Sequence, residues 1–220
     1  MFKEIQVLGP GQVAELRAIA ASANFVDGRI SNPHSRVKQN LQLDDEAAYQ
    51  RSSQILTQAL YGQEEFRNFA FPVAMLPPLM ARYTPDMRYG AHADAAFLQL
   101  GDIGLRSDLS CTIFLNEPKA YEGGALRIQL GTRDISFKGE AGSAVLYPSD
   151  MLHEVERVTA GERLVAITFI QSRIPDNFRR ETLYELNDVA ALEGLRMAPD
   201  NYTRLQLVQA NLLRHWGDRP

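Results

Sequence analysis

The sequence predicts a mainly β protein with flanking helices, its core an antiparallel sandwich or jelly roll, and three observations carry that expectation. From Phe71-Pro72 to about Gln171 the chain is a series of short strand-like runs broken by Gly, Pro, Asn and Asp. The runs follow one another across turn residues, which suits antiparallel neighbours rather than the helix-spaced strands of a parallel sheet. Before and after this region, apolar residues recur at helical spacing instead.

The elements follow in order. A helix is predicted over about Gly9 to Asn24, where Val13, Leu16, Ile19 and Ala20 share a stripe and Gly9-Pro10-Gly11 marks the start. Phe25 to Leu43 is polar, with Asp27-Gly28 as a turn signal, and reads as irregular or weakly extended. Asp44-Asp45-Glu46 opens a second helix to about Tyr61, its acids suiting the positive end of the helix dipole. A short helical turn covers Glu64 to Phe69. The candidate strands are Leu79 to Thr84, Leu109 to Leu115, Ala125 to Leu130, Asp134 to Phe137, Ser143 to Tyr147, Glu154 to Val158 and Arg163 to Gln171. Beyond Ile174-Pro175, helices are predicted over Asn177 to Leu192 and Asn201 to Trp216. The organisation expected is an N-terminal helical region over 1–75, a jelly-roll domain over 76–174 and a C-terminal helical extension over 175–220. A length of 220 residues suits one domain with extensions or two small ones.

Composition narrows the partners. The formal net charge is −4, so the clustered Lys and Arg of a nucleic-acid footprint are not expected. The single cysteine, Cys111, excludes an intrachain disulfide and gives no sign of an oxidising compartment. It lies in the apolar run Leu109 to Leu115 and reads as a small core residue rather than a nucleophile. Met1-Phe2-Lys3-Glu4-Ile5 opens without a long apolar stretch, and no apolar run is long enough to span a bilayer. No membrane partner is expected, and a cytoplasmic location is the default.

Chemistry concentrates at Tyr89-Gly90-Ala91-His92-Ala93-Asp94. Side chains alternate at a strand end, so His92 and Asp94 point to one face. An imidazole and a carboxylate so presented can take neighbouring positions on a divalent metal. One more histidine would complete the 2-His-1-carboxylate arrangement that suits non-haem Fe(II). Of the four histidines, His34 and His215 read as surface residues. His153 follows Tyr147-Pro148-Ser149-Asp150-Met151-Leu152, a strand, a turn and the start of another strand. The gap from Asp94 (153 − 94 = 59 residues) leaves room for about four strands, enough to return the chain beside His92. Ten positions on (163 − 153 = 10), Arg163 opens the apolar strand Leu164 to Ile170 on the face shared by Val165, Ile167 and Phe169. An interior-facing charge is rarely left unpaired. Its partner is an anionic ligand, to which the guanidinium fork is well matched, or a rim carboxylate from Glu140, Glu154 or Glu162.

Taken together, these segments resemble the Fe(II)/2-oxoglutarate dioxygenases, and within them the prolyl-4-hydroxylase-like group and its bacterial PKHD-type hydroxylases. The resemblance is carried by Ala81-Arg82-Tyr83-Thr84 with Tyr89 to Asp94, by Arg106 to Ser110, Phe114-Leu115-Asn116, Tyr121-Glu122-Gly123-Gly124 and Leu146-Tyr147-Pro148-Ser149, and by His153 and Arg163. Phe25 to Arg29, Val37 to Asn40 and Phe169 to Ser172 add to it. It implies a double-stranded β-helix with His92, Asp94 and His153 as metal ligands for Fe(II). It further implies Arg163 on the distal carboxylate of 2-oxoglutarate, with the Tyr83 hydroxyl reaching the same group. A core tyrosine bonded to backbone is the other reading of Tyr83. Phe114 has no hydroxyl where some prolyl hydroxylases carry a tyrosine for the cosubstrate, which shifts that role onto Tyr83 and Arg163.

The resemblance implies O2 as the oxidant, L-ascorbate as an accessory reductant, and hydroxylation of a C–H bond with release of succinate and CO2. A fold and a metal site do not fix the substrate, so a peptidyl residue and a small-molecule metabolite both stay open. The alternative is a cupin-like metal-binding jelly roll without 2-oxoglutarate chemistry, which accounts for three ligands but not for Arg163. A catalytically silent module would be expected to have lost one of the four residues. Glu122-Gly123-Gly124 reads as a tight turn. Ala95 to Asp108 reads as a loop beside the site, with Phe97, Leu98, Leu105 and Arg106 as candidate substrate or packing contacts. The amphipathic terminal helices suit a homo-oligomer interface as well as a brace for the β core.

Overall fold

Strands that are apolar on both faces lie at the centre of the larger of two facing sheets. The computed structural model describes residues 1–218, with positions 100 and 103 by backbone alone. The last two positions of the predicted C-terminal extension lie outside the described residues. The N-terminal part runs β1 (Lys3–Gln6), α1 (Pro10–Ser22), β2 (Phe25–Asp27), β3 (Lys38–Gln39), β4 (Leu41–Leu43), α2 (Glu46–Gly62), α3 (Glu64–Ala70) and β5 (Pro72–Met75). Then come β6 (Leu79–Tyr83), β7 (Arg88–His92), β8 (Phe97–Leu100), β9 (Ile103–Arg106), β10 (Leu109–Phe114) and β11 (Tyr121–Gly123). They are followed by β12 (Leu126–Leu130), β13 (Arg133–Phe137), β14 (Ser143–Pro148), β15 (His153–Val155), β16 (Val158–Gly161) and β17 (Arg163–Ser172). Two helices, α4 (Asn177–Glu193) and α5 (Pro199–Trp216), follow the sheets.

The larger sheet is ordered β1-β14-β10-β17-β6-β4-β2, with β5 also on β17, and the smaller is ordered β13-β12-β15-β7-β3. Their pairings are antiparallel throughout. Alternation along β17 explains the layers. Leu164, Ala166 and Ile170 face outward, into a core shared with Leu16 of α1, Leu56 and Leu60 of α2, and Phe66 and Phe69 of α3. Arg163 and Val165 face inward, where Val165 packs with Ala81, Phe114, Val145 and Tyr147 against Leu126, Ile128 and Val155 of the smaller sheet. The helices therefore brace the back of the larger sheet, and the space between the sheets is left for a site. Local chemistry sets the helix starts: Asp45 accepts from the Ala48 N–H at 2.9 Å and Asp176 from the Arg179 N–H at 2.8 Å.

The jelly roll with helices at both ends is the predicted fold class, and several expectations inside it are corrected. Phe25 to Leu43 takes the weakly extended form of the two its sequence left open, as three short strands. It supplies β2 and β4 to the larger sheet and β3 to the smaller. Ala95 to Asp108 is a hairpin of β8 and β9 rather than a loop, turning at Gly101 with φ +61°. The single strand expected over Glu154 to Val158 is split, because β15 pairs with β12 and β7 while β16 pairs with β11. Seven strands, β8 to β14, separate Asp94 from His153, where about four were expected. Cys111 lies in the outer core as expected, and burial pushes its thiol up to about 12, which makes it a poor nucleophile.

Candidate active site

The pairing of β7 with β15 sets His92 directly across from His153. Asp94 lies just beyond the end of β7, and the three side chains present metal-binding atoms within 4.8 Å of one another. Nε2 of His92 is 3.8 Å from Asp94 Oδ1, and Nε2 of His153 is 3.6 Å from Asp94 Oδ2. One cation can touch all three at the roughly 2 Å bond lengths of nitrogen and oxygen ligands.

Both imidazoles are oriented for that purpose. His92 Nδ1 donates to the Gly90 carbonyl at 2.8 Å, and His153 Nδ1 donates to the Met151 carbonyl at 3.0 Å. A carbonyl only accepts, so Nδ1 carries a proton in each ring and Nε2 is the nitrogen turned to the cluster. Tyr89 stacks on the His92 ring at 3.6 Å between centroids and 13° between planes, fixing its tilt. Burial first, and the neighbouring His153 second, pull the His92 pKa down to about 4, which keeps the ring neutral at ordinary pH. Asp94 is held by Ser110, whose Oγ donates to Oδ2 at 2.6 Å.

Deeper between the sheets lies Arg163, opposite Tyr83 in the β6–β17 register. It is 1% exposed, and its Nε and Nη1 have no hydrogen-bond partner among the described residues. None of the rim carboxylates considered from sequence pairs with it: Glu154 bonds Arg127, Glu162 pairs with Arg82, and Glu140 makes no ion pair among the described residues. The guanidinium lies 4.9 Å from the Tyr83 ring centre and 5.9 Å from that of Phe114. The Tyr121 hydroxyl is also buried and makes no hydrogen bond of good geometry, with the Arg163 guanidinium close enough to oppose the rise that burial gives its pKa. Unpartnered buried donors each cost about 1–3 kcal/mol, so a cluster of them points to a missing anion. Burial raises the Tyr83 pKa, with Arg163 and then the Asn40 amide opposing, so Tyr83 keeps its proton beside the guanidinium.

The Glu122-Gly123-Gly124 turn carries φ +67° at Gly123 and +65° at Gly124. A Cβ at Gly124 would lie 2.9 Å from Val158 Cγ2 and 3.2 Å from Arg163 Cδ, so this glycine lets the arginine stem pass. Gly124→Ala is therefore expected to destabilise the fold by about 1–3 kcal/mol through forced backbone strain. Urea denaturation measures it, and an unchanged midpoint would refute this role for Gly124.

Other candidates resolve plainly. His34 and His215 are exposed, as expected. Arg106 is engaged by Asp108 at 2.7 Å and Asp218 at 2.6 Å, and Leu105 is buried, so both make the packing contacts that were one of their two readings. Phe97 is 69% exposed on the hairpin. Ser107, Ser110, Ser149 and Tyr121 had no assigned role in the sequence reading. A signal for Ser110 existed: a hydroxyl within a strand whose six residues are all buried must bond something inside.

Comparisons with known proteins agree with this geometry. Residues 78–171 match the 2OG-Fe(II) oxygenase superfamily. A PKHD-type hydroxylase of Sphingopyxis alaskensis is 61% identical over 216 residues, covering 98% of this chain and 99% of that protein. Among solved structures, a prolyl hydroxylase from Trichoplax adhaerens in complex with a hypoxia inducible factor peptide superposes with a TM-score of 0.59 at 16% identity, covering 77% of this chain and 83% of that one. HygX from Streptomyces hygroscopicus, with nickel, 2-oxoglutarate and hygromycin B bound, superposes with a TM-score of 0.55 at 17% identity, covering 76% and 81%.

Proposed function

Because the chain belongs to the PKHD-type hydroxylases, Fe(II)- and 2-oxoglutarate-dependent oxygenases, we propose that His92, Asp94 and His153 hold its iron and that Arg163 and Tyr83 hold the distal carboxylate of 2-oxoglutarate. The observation that carries the assignment is the unpaired Arg163 guanidinium, buried on the same inner layer as the three metal-binding side chains. Two imidazoles and one carboxylate suit Fe(II), and a buried cation beside two phenol rings suits a dicarboxylate. When bound, iron, 2-oxoglutarate and O2 supply oxidative decarboxylation to succinate and CO2, with hydroxylation of a substrate C–H bond.

The chain's own contribution is position and dryness. The Gly90 and Met151 carbonyls hold the imidazoles edge-on, and Ser110 holds the carboxylate. Arg163 and Tyr83 would hold the far carboxylate of the cosubstrate. Phe114 gives a ring face without a hydroxyl, and Tyr121 brings one into the neighbourhood of Arg163. Val155, Ile128 and Val165 exclude water between the sheets.

The primary substrate stays at the level of a peptidyl residue or a small metabolite. The two superposed structures support both, since one holds a protein fragment and the other hygromycin B. Phe97 on the exposed hairpin is our candidate contact to it. L-ascorbate is the expected accessory reductant and the cytoplasm the expected location. Regions 1–75 and 175–220 serve as helical supports for the 76–174 jelly roll, and their outer faces are where a homo-oligomer would form. The cupin-like alternative gains no observation of its own, because it leaves Arg163 without a partner.

The test is spectroscopic. Under anaerobic conditions, adding 2-oxoglutarate to the Fe(II)-loaded protein is expected to produce a weak visible charge-transfer band. Iron that stays bound while no band appears would rule out chelation of the cosubstrate.

A further inference from the structure

We propose that Ser107, Ser149 and Ser110 form a one-way hydroxyl relay that holds Asp94 with one oxygen turned to the metal and ties the β8–β9 hairpin to that ligand. The inference rests on the metal assignment above and adds positioning residues to it.

The direction of the relay follows from counting protons. An ionised Asp94 only accepts, so the 2.6 Å contact from Ser110 Oγ to Oδ2 uses the single Ser110 proton. Ser149 Oγ lies 2.8 Å from Ser110 Oγ and must then be the donor. Ser107 Oγ lies 2.8 Å from Ser149 Oγ and must donate in its turn. All three serines are buried, so no solvent competes for these protons, and each bond polarises the next. Oδ2 takes the Ser110 proton and also lies 3.6 Å from His153 Nε2, while Oδ1 lies 3.8 Å from His92 Nε2 and receives no serine of the relay. A carboxylate with one oxygen engaged this way offers the other to a metal as a single ligand atom, which leaves room on the metal for cosubstrate and O2.

The relay also spans the hairpin. The chain leaves Asp94, runs out along β8, returns along β9 and re-enters the interior at Ser107. The Ser107 N–H donates to the Ala96 carbonyl at 2.9 Å and closes the hairpin base. The Ser149 N–H donates to the Asp108 carbonyl at 3.1 Å, so the middle serine is fixed to the same strand entry. Displacement of the hairpin therefore reaches Asp94 through three hydroxyls. The exposed Phe97 opens β8 at the base of this hairpin, paired with Arg106 and next to the Ser107–Ala96 contact, so the relay meets the hairpin beside an exposed aromatic side chain.

The experiment uses Mn(II) as a redox-silent probe, its binding to the full chain followed by electron paramagnetic resonance. Wild type is expected to bind, and Asp94→Ala is not; if the two behave alike, the metal assignment fails rather than the relay. With that established, Ser110→Ala is expected to weaken Mn(II) about 10- to 100-fold, the range for a lost outer hydrogen-bond partner of a metal ligand. Ser110→Thr, which restores the hydroxyl, is expected to return affinity to near wild type. If Ser110→Ala does not fold, Ser110→Cys carries the test, because a thiol is a weak donor of similar size. Wild-type affinity in the folded Ala or Cys variant overturns the positioning role. Hydrogen exchange at the Ser107 amide tests the second half. Mn(II) is expected to slow it in wild type and not in Ser149→Ala, and equal protection in both overturns the coupling to the hairpin.

Discussion

Asp94→Ala abolishes metal-dependent succinate formation and weakens metal binding by more than the roughly 100-fold that loss of an outer partner costs. The magnitude follows from the charge in the cluster. Asp94 is the only carboxylate in it, and without it a divalent cation meets two imidazoles alone. His92→Ala has a comparable effect by a different route. It removes one nitrogen ligand and leaves Tyr89, now stacked on that ring at 3.6 Å, facing a gap. Asp94→Ala also strands the Ser110 proton, so the metal-free protein loses about 1–3 kcal/mol of stability by the cost of an unsatisfied buried donor. Succinate assays with a metal titration decide the matter. Full turnover in either variant would remove these residues from the site.

Some of this was readable in the chain because burial leaves a pattern. The strands β10 and β17 lie mid-sheet with both faces covered, so their sequences are near-continuous apolar runs that no surface strand would carry. Arg163 was conspicuous for the same reason, as a charge at the head of such a run. Less could be read where tertiary context decides. Strands β1 and β5 are four residues each and only partly buried, too short for alternation to emerge from noise. The polar stretch 25–43 pairs through backbone groups, to which its composition is indifferent, and its Asn40 and Lys38 are buried all the same. The hairpin over 97–106 escaped notice because its side chains do not alternate cleanly and its turn rests on one glycine. Opposition of His92 and His153 depends on the register of β7 with β15, which shifts at an irregularity that no local signal announces. The serines are the extreme case, since one hydroxyl in a strand looks alike whether it faces a metal ligand or a backbone carbonyl.

Arg163→Met is expected to push stability and cosubstrate binding in opposite directions, and that opposition is what makes it diagnostic. In the metal-free protein the guanidinium is buried with two nitrogens unpartnered. It keeps some compensation from the faces of Tyr83 and Phe114, worth about 0.5–2 kcal/mol in interactions of this kind. Replacing it with an apolar side chain of similar length removes an unpaired buried charge, so the thermal midpoint should hold or rise, as when buried ionic groups give way to packed hydrophobes. Binding of 2-oxoglutarate should collapse, because its far carboxylate would then be buried against a thioether. Truncating one side of a buried charge pair costs about 2–5 kcal/mol, or roughly 30- to 5,000-fold in the 2-oxoglutarate requirement. Mn(II) affinity should stay near wild type, since among the described residues Arg163 makes no hydrogen bond or ion pair with the three metal-binding side chains. The three readouts together separate the alternatives. A structural arginine would lower the midpoint and spare the cosubstrate, whereas an anchor for the dicarboxylate does the reverse. Unchanged apparent affinity for 2-oxoglutarate in a folded, metal-binding Arg163→Met protein would return this residue to a purely structural role.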